Sequence, residues 1–285
     1  MKNKNIMRYY IVDAFTDQPF GGNPAGVVLF DENSFPSDSL MLQIAAELRY
    51  SETAFVRRDS EKEFTIRYFT PMAEVELCGH ATIASFALMH RKLGVTGRCL
   101  CHAKAGDIYV EAGPRVLMQM TPSKVLKTIE DSEEVYRALG VSDYSPTLPV
   151  MIVSTGLPDF MIQVKDVETL NHLALDMNAI SAVTEKHNAV SFHVFAFGND
   201  GYTAHVRDFG PLYGIPEESA TGTANASLTH YLLQNGGIPA TGDFSFLQGE
   251  AMGRPSVVAT RVTPDGAIYV GGTAAVVAEG KLQFQ

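Results

Sequence analysis

This chain has few features that would tie it to a charged polymer, a membrane or an oxidising compartment. Of 285 residues only 22 are basic against 32 acidic, the formal charge is −10, and no basic run occurs. Nothing supplies the phosphate-neutralising charge that nucleic acid or an anionic membrane requires, so neither partner is expected. Any bound anion must be held locally, by backbone amides or by one or two side chains. The cysteines are three, Cys78, Cys99 and Cys101; an odd count without framework spacing points to a reducing compartment. The close pair in "RCLCH" has only His102 beside it and no second cluster, which favours structural thiols over a metal site. No apolar run approaches the ~20 residues that span a bilayer, and the opening "MKNKNIMRYYIVDAF" lacks the apolar centre of a signal peptide. The expectation is a cytoplasmic globular chain, long enough for one large domain or two of about 140 residues.

What is present is a repetition. "FTIRYFTP" (64–71) is echoed by "YTAHVRDFGP" (202–211), each a β-rich run ending in Arg-x-Phe-x-Pro on Arg67 and Arg207. Each is followed by an acidic loop and then by a small-residue helix start, "CGHATIASFALMHRKLG" and "TGTANASLTHYLLQNGG". Upstream, "SETAF" (51–55) aligns with "NAVSF" (188–192), and "GGNPAGVVLF" (21–30) more faintly with "TGLPDFMIQV" (155–164). Four landmarks recur in one order at about half the chain length. Two homologous halves follow: residues 1–120, with a C-terminal strand at about 273–285 as the candidate to complete them, and residues 121–272. "TPSKVLKTIEDSEE" reads as the connection.

Within each half the pattern is mostly strand. "RYYIVDAF", "AGVVLF", "ETAFVRR", "FTIRYF", "DIYVEA" and "RVLMQM" are short β-branched or aromatic runs bounded by turn residues. Two helices interrupt the first half. "SDSLMLQIAAELRY" (37–50) begins on a Ser/Asp cap with Leu40, Ile44 and Leu48 at helical spacing. The second helix, about 80–93, is apolar on nearly every side, as is its counterpart near 223–234; helices of that kind are enclosed. The fold class is therefore α+β, two pseudo-symmetric domains, each a curved mixed sheet or barrel around a central helix.

The starts of those enclosed helices are where chemistry is expected. First-turn N–H groups have no helical partner and carry partial positive charge, and Gly79 and Gly222 let a ligand approach the backbone. Two such mouths suit a carboxylate, and halves facing across a cleft would bring both to one small acid. At the positive end of an enclosed helix His80 should be neutral, able to give or take one proton; the plain alternative is a helix cap. Cys78 could act as a lowered-pKa thiol, but its counterpart is Thr221, so a symmetric thiol pair is not available and an inert Cys78 is preferred. Glu52 in "YSETAFV" stands at a strand start and would suit proton transfer if partly buried; otherwise it is a solvated strand end. Glu217 and Glu218 precede the second mouth, and one of them could face a substrate.

"VDAFTDQPFGGNPAGVV", "SETAFV", "CGHATIASF" and "ESATGTANAS" together resemble, in order and spacing, the PhzF family of phenazine-biosynthesis-like isomerases, which shares its duplicated fold with diaminopimelate epimerase and proline racemase. The likeness runs from about residue 8 to "GGTAAVVAEGKL". It implies a homodimeric isomerase that needs no cofactor and no metal, with its site between the two domains. The family glutamate, which moves a proton between substrate carbons, matches Glu52, and the family histidine matches His80. The aspartate of an Asp-Pro-Ala-Thr-Gly-Ser pattern matches Glu218, its serine matches Thr223, and Ser219 stands for the proline. Gly79, Gly222, Thr223 and Asn23 are the expected substrate contacts. Glu in place of Asp displaces the carboxylate by about 1.5 Å, and ~1 Å can cost 10²-fold in rate, so the resemblance carries the reaction type further than the substrate. The function expected is proton transfer on a small carboxylate-bearing metabolite. A racemase or epimerase of the same fold would need the second thiol that Thr221 replaces. A non-catalytic binder of small acids is the alternative from another class, although it would have no need of Glu52. A hydrolase using Cys78 as nucleophile lacks an evident orienting partner in the sequence.

Overall fold

The computed structural model describes residues 6–30, 34–142 and 147–283. Residues 1–5 of the segment read for a signal peptide and 284–285 of the expected C-terminal strand lie outside them. The chain divides into two compact units, Met1–Gln119 with Gly271–Gln285, and Met120–Val270. No helix among the described residues is long and apolar enough to cross a membrane.

The first unit contains β1 (Ile6–Ala14), β2 (Asn23–Phe30), α1 (Asp38–Leu48), β3 (Thr53–Arg58), β4 (Glu63–Phe69), β5 (Glu74–Val75), α2 (Gly79–Leu93), β6 (Gly97–Ala103), β7 (Gly106–Ala112) and β8 (Val116–Gln119). The second contains β9 (Lys124–Thr128), α3 (Glu133–Ala138), β10 (Met151–Ser154), β11 (Pro158–Gln163), α4 (Val167–Asn171), α5 (Met177–His187), β12 (Ser191–Ala196), β13 (Ala204–Gly210), β14 (Ile215–Glu218), α6 (Gly222–Gln234), β15 (Gly242–Gln248) and β16 (Ser256–Val262). The chain then leaves it through β17 (Ile268–Gly272), and β18 (Ala274–Gln283) returns to the first unit as the antiparallel partner of β1.

The two units share one pattern of pairings. In the first, β1–β2 is antiparallel, β2–β3 parallel, β3–β4 and β4–β5 antiparallel, β4–β6 parallel and β6–β7 antiparallel. In the second, β10–β11 is antiparallel, β11–β12 parallel, β12–β13 and β13–β14 antiparallel, β13–β15 parallel and β15–β16 antiparallel. The repeat of sequence landmarks is a repeat of topology, and each unit is a mixed sheet with helices in its parallel crossovers.

Side-chain chemistry explains the central helices. In α2, nine residues from His80 to Met89 are buried, and the helix touches β1, β2, β3, β7, β8 and β18. A helix in contact with so much of its sheet has no solvated face, which accounts for its all-round apolarity. Its buried hydroxyls are satisfied within the helix, Thr82 donating to the Cys78 carbonyl at 2.7 Å and Ser85 to that of Ala81 at 2.6 Å. Phe86, fully buried, meets Phe64 edge-on at 5.4 Å between ring centroids, a burial that contributes on the order of 1.5–3 kcal/mol. Gly94, left-handed at φ 68°, ends α2. In α6 the buried set includes Leu228, Tyr231 and Leu232, which join Val153, Met161, Phe195 and Phe246 in a core between helix and sheet.

Three local expectations differ from the structure. Lys124–Thr128, within the stretch read as a connection, is strand β9, paired with β10; its exposed, lysine-bearing sequence has no alternation to reveal it. The crossover of the second unit holds α4 and α5 where the first has α1 alone, and α3 precedes β10. These are short or polar-faced helices, with Asp166 and Asp176 accepting from first-turn N–H groups as caps.

Candidate functional site

In the first unit the β3 start and the α2 start supply the groups. The Gly26 N–H of β2 donates to the Glu52 carbonyl at 3.2 Å, which fixes the residue just ahead of β3. His80 is the second residue of α2. Glu52 Oε2 lies 3.3 Å from His80 Nε2, and Ser51 Oγ lies 3.4 Å from the same nitrogen. The imidazole is 7% exposed and the Glu52 side chain 21%. Burial pushes the His80 pKa below its ordinary value, and the Glu52 charge opposes that shift only in part. The contact is therefore between a carboxylate and a neutral ring rather than an ion pair. A neutral ring protonated at Nε2 can donate to Glu52 or to Ser51 but not fully to both, consistent with two contacts longer than a good N–H···O bond.

Cys78 approaches from a different direction. Its Sγ is 3.4 Å from His80 Nδ1 and 3.8 Å from Nε2. The Nδ1 lone pair and the Nε2–H bond diverge in the ring plane, so an atom nearly equidistant from both nitrogens lies along neither. The sulfur sits against the ring rather than in its hydrogen-bonding plane. Donor atoms of Glu52, Cys78 and His80 all lie within 4.8 Å of one another, which is close enough for a metal by distance alone. An ion on a ring nitrogen would have to lie along its lone pair, and the sulfur is not on that side. The donor set does not fit a metal as arranged.

The first turn at this mouth has no side-chain cap. The side chains of Ser37, Asp166 and Asp176 accept from first-turn N–H groups of α1, α4 and α5, whereas Cys78 and Thr221, which precede α2 and α6, make no side-chain cap. Both central helices thus begin without the N-cap side-chain acceptor that α1, α4 and α5 have. A Cβ on Gly79 would meet only Met118 Cε, at 3.7 Å, so packing does not require glycine there. Asn23 is buried at the start of β2, opposite Ala14.

In the second unit the acidic pair before α6 separates by strand alternation. Glu217 is held by Arg207 through two bonds, Nε–Oε1 at 2.8 Å and Nη2–Oε2 at 2.9 Å. The same clamp joins Arg67 and Glu74 in the first unit, at 2.8 Å twice. Glu218 is the neighbour of Asp208 in the strand register, on the opposite face from Arg207. Its Oε2 accepts from Thr221 Oγ1 at 2.6 Å. Gln248, fully buried at the end of β15, donates to the Glu218 carbonyl at 2.9 Å and to Thr221 Oγ1 at 3.1 Å, and accepts from Thr221 N and Asn225 Nδ2. Thr223 is half-buried, and its carbonyl accepts from Thr155 Oγ1 at 3.0 Å.

The geometry thus brings Glu52, Cys78, Gly79 and His80 to one mouth, and Glu218, Gly222 and Thr223 to the other. Sequence reasoning missed Ser51 and Gln248. Ser51 was signalled by its place next to Glu52. Gln248 had no signal, since its polar role inside "FSFLQGE" depends on a strand pairing distant in sequence.

The model of a family described as phenazine biosynthesis-like protein matches residues 12–280. The uncharacterized isomerase YddE of Escherichia coli (strain K12) is 34% identical over 272 residues, 89% of each chain. A trans-2,3-dihydro-3-hydroxyanthranilate isomerase of Pseudomonas chlororaphis is 31% identical over 262 residues, again 89% of each. Among solved structures, a PhzF-family protein of Bacillus anthracis superposes with a TM-score of 0.87 at 26% identity, covering 98% of this chain and 99% of that one.

Proposed function

This chain belongs to the phenazine biosynthesis-like (PhzF) family and is an enzyme of its isomerase type; from that premise we propose that it moves a proton between carbons of a small carboxylate-bearing, ring-containing metabolite, with Glu52 as the acid–base group. The observation that carries the reading is Glu52 Oε2 at 3.3 Å from a buried, neutral His80 at the uncapped start of α2.

The carboxylate of Glu52 takes the proton, becoming the acid, and returns it to a second carbon; the enzyme ends as it began. His80 Nε2–H donates to Glu52 while it is ionised and can turn towards Ser51 once it is protonated. A neutral imidazole suits this role because it does not fix the carboxylate in its charged form as an imidazolium would. The first-turn N–H groups at Gly79 hold the substrate carboxylate, and we assign Gly222, Thr223 and Asn23 to substrate contact and Glu218 to polarising the same molecule. The relative named for trans-2,3-dihydro-3-hydroxyanthranilate, a ring carboxylate, supports the substrate class; Glu218 and Thr223 in place of the family Asp and Ser favour a different member of it. No cofactor or metal enters the scheme. We read the protein as a homodimer, as the family resemblance implies, and as cytoplasmic, in keeping with three buried thiols outside any disulfide.

General acid–base groups contribute typically 10²–10⁴-fold. Ring carboxylic acids, trans-2,3-dihydro-3-hydroxyanthranilate among them, incubated with the protein in deuterated water should gain deuterium. Glu52→Gln should slow that exchange by about 10² or more. Equal exchange by both proteins would end Glu52's role.

A further inference from the structure

The second unit contains a row of polar groups that the proposed chemistry does not use. Asp159 is the second residue of β11, Ser191 begins β12, and Asp208 stands near the end of β13. Strand register places Asp159 beside Ser191, His193 beside Asp208, and Asp208 beside Glu218. Directly paired residues share a face, as do residues two apart, so all five side chains are on the face that carries Met161, Phe195 and Val206 against α6. They sit at the end of the sheet where Thr155 meets the first turn of α6.

The first four are almost wholly enclosed, at 3%, 3%, 0% and 4% exposure for Asp159, Ser191, His193 and Asp208. Ser191 Oγ is 2.9 Å from Asp159 Oδ1 and 2.9 Å from Asp208 Oδ1, and His193 Nδ1 is 2.9 Å from that same Asp208 oxygen. Asp159 Oδ2 and His193 Nε2 have no partner. One hydroxyl carries one proton and cannot donate to two carboxylates at once. If Ser191 donates to Asp208, which also accepts from His193 Nδ1–H, then Asp159 must be the donor to Ser191.

We propose that this row stores a proton on Asp159 beneath Glu218, and that the neutral acid so formed is a positioning residue that keeps the charge of the second mouth on Glu218. The inference rests on the assignment of Glu218 to the substrate. Two buried carboxylates bridged by one hydroxyl cannot both ionise cheaply. Burial first, and then the charges of Asp208 and Glu218, push the Asp159 pKa well above the carboxylate range. The titratable groups facing Asp159 are Asp208 from β13, His193 from β12 and Glu218 from β14. Its β10 neighbour Val153 and the first two turns of α6 carry no charge. Arg207, the cation of β13, does not neutralise a second carboxylate here, because it lies on the opposite face with Glu217 and the Leu170 carbonyl.

Carbon-13 NMR of the full chain with labelled Asp and Glu carboxyls tests this without a substrate. In the wild-type protein the Asp159 resonance should remain at its protonated position through neutral pH. The Glu218 resonance should show a second inflection where Asp159 ionises at alkaline pH. Asp159→Asn, which imitates the neutral acid, should fold and should lose that inflection; Glu218→Gln assigns the signal. Ser191→Ala removes the bridge and leaves both carboxyls, and should move the Asp159 midpoint. An Asp159 that titrates with ordinary carboxylates in wild type, or a Glu218 curve unchanged in Asp159→Asn, overturns the proposal. Because no turnover is read, these results stand apart from any failure of Glu52 in the exchange experiment.

Discussion

The two helix mouths are built on one plan and furnished in opposite ways. Where the first has Glu52 ahead of β3, the second has Ala189 at the aligned position; where the first has His80 on α2, the second has Thr223 on α6. Conversely, β4 and β5 pair Tyr68 with Val75 where β13 and β14 pair Asp208 with Glu218. Tyr68 is fully buried and bonds Thr82 of α2 at 2.6 Å, an uncharged tie between sheet and helix. A duplicated fold therefore need not carry a duplicated mechanism. The topology preserves two uncapped helix starts, and each half has specialised what surrounds its own: proton transfer is assigned to the first, and fixed negative charge to the second.

What the halves keep in common is the clamp under each mouth, and here the comparison can be broken by measurement. Arg207 lies 5.0 Å above Phe209 and grips Glu217, with 11% and 15% of the two side chains exposed. Arg67 lies 5.2 Å above Phe69 and grips Glu74, at 23% and 21%, while also reaching the exposed Asp38. Removing one partner of an enclosed pair leaves a charge without compensation, at about 3 kcal/mol or more, whereas wetter pairs cost nearer 1 kcal/mol. Urea unfolding of Glu217→Gln should therefore show the larger loss, about 3 kcal/mol, and Glu74→Gln a smaller one, with Asp38 left to share Arg67. Equal losses would mean that the two clamps are energetically the same and that only the mouths have diverged.

The buried imidazole of the first mouth gives a second, smaller effect that the second mouth cannot show. His80 has its pKa lowered in the folded chain because burial disfavours the charged ring. The unfolded chain therefore binds a proton near the ordinary value of 6.5 while the folded chain does not. The contribution of neutral His80 is fully present above that value. It is lost as pH falls below it, down to the folded pKa. His80→Gln cannot titrate, so its melting temperature should fall less than that of wild type between neutral and mildly acidic pH. Thr223→Val should follow the wild-type slope. Parallel curves for His80→Gln and wild type would show that the ring is not held neutral.

Much of this asymmetry is legible in the sequence, and the reasons are physical. Helix starts and all-round apolarity depend on neighbours in sequence, so the sequence places α2 and α6 within a residue of their observed starts, and the repeated Arg-x-Phe-x-Pro runs mark equivalent strands. Strand pattern alone does not choose between Glu217 and Glu218; the family resemblance does. The choice depends on which face of a four-residue strand meets Arg207, and a run that short has no periodicity of its own. The Asp159–Ser191–Asp208 row is not legible either, because "LPDF", "VSFH" and "VRDFG" become neighbours only through register. Polar residues inside otherwise apolar strands were the available clue, and without pairing they read as strand ends. The position of Cys78 against the imidazole face is likewise a matter of side-chain direction that spacing does not encode.

The smallest expected change in stability carries the sharpest question about the mouths. Gly26 and Gly79 are both glycines of the first unit, but a Cβ on Gly26 would come within 2.7 Å of Thr53 Oγ1, whereas one on Gly79 would find only Met118 Cε at 3.7 Å. The first glycine is required by the close approach of β2 to β3. The second is not required by packing, and alanine is a better helix former than glycine, by less at a helix start than the ~1 kcal/mol of a helix interior. Gly79→Ala should therefore melt at or slightly above the wild-type temperature while binding ring carboxylates more weakly, as the proposed hold of the carboxylate against the Gly79 backbone requires. Isothermal titration with the acid that exchanges fastest reads the loss directly, and Gly222→Ala in parallel ranks the two mouths. A Gly79→Ala protein of full stability and undiminished affinity would show that the α2 start does not hold the anion.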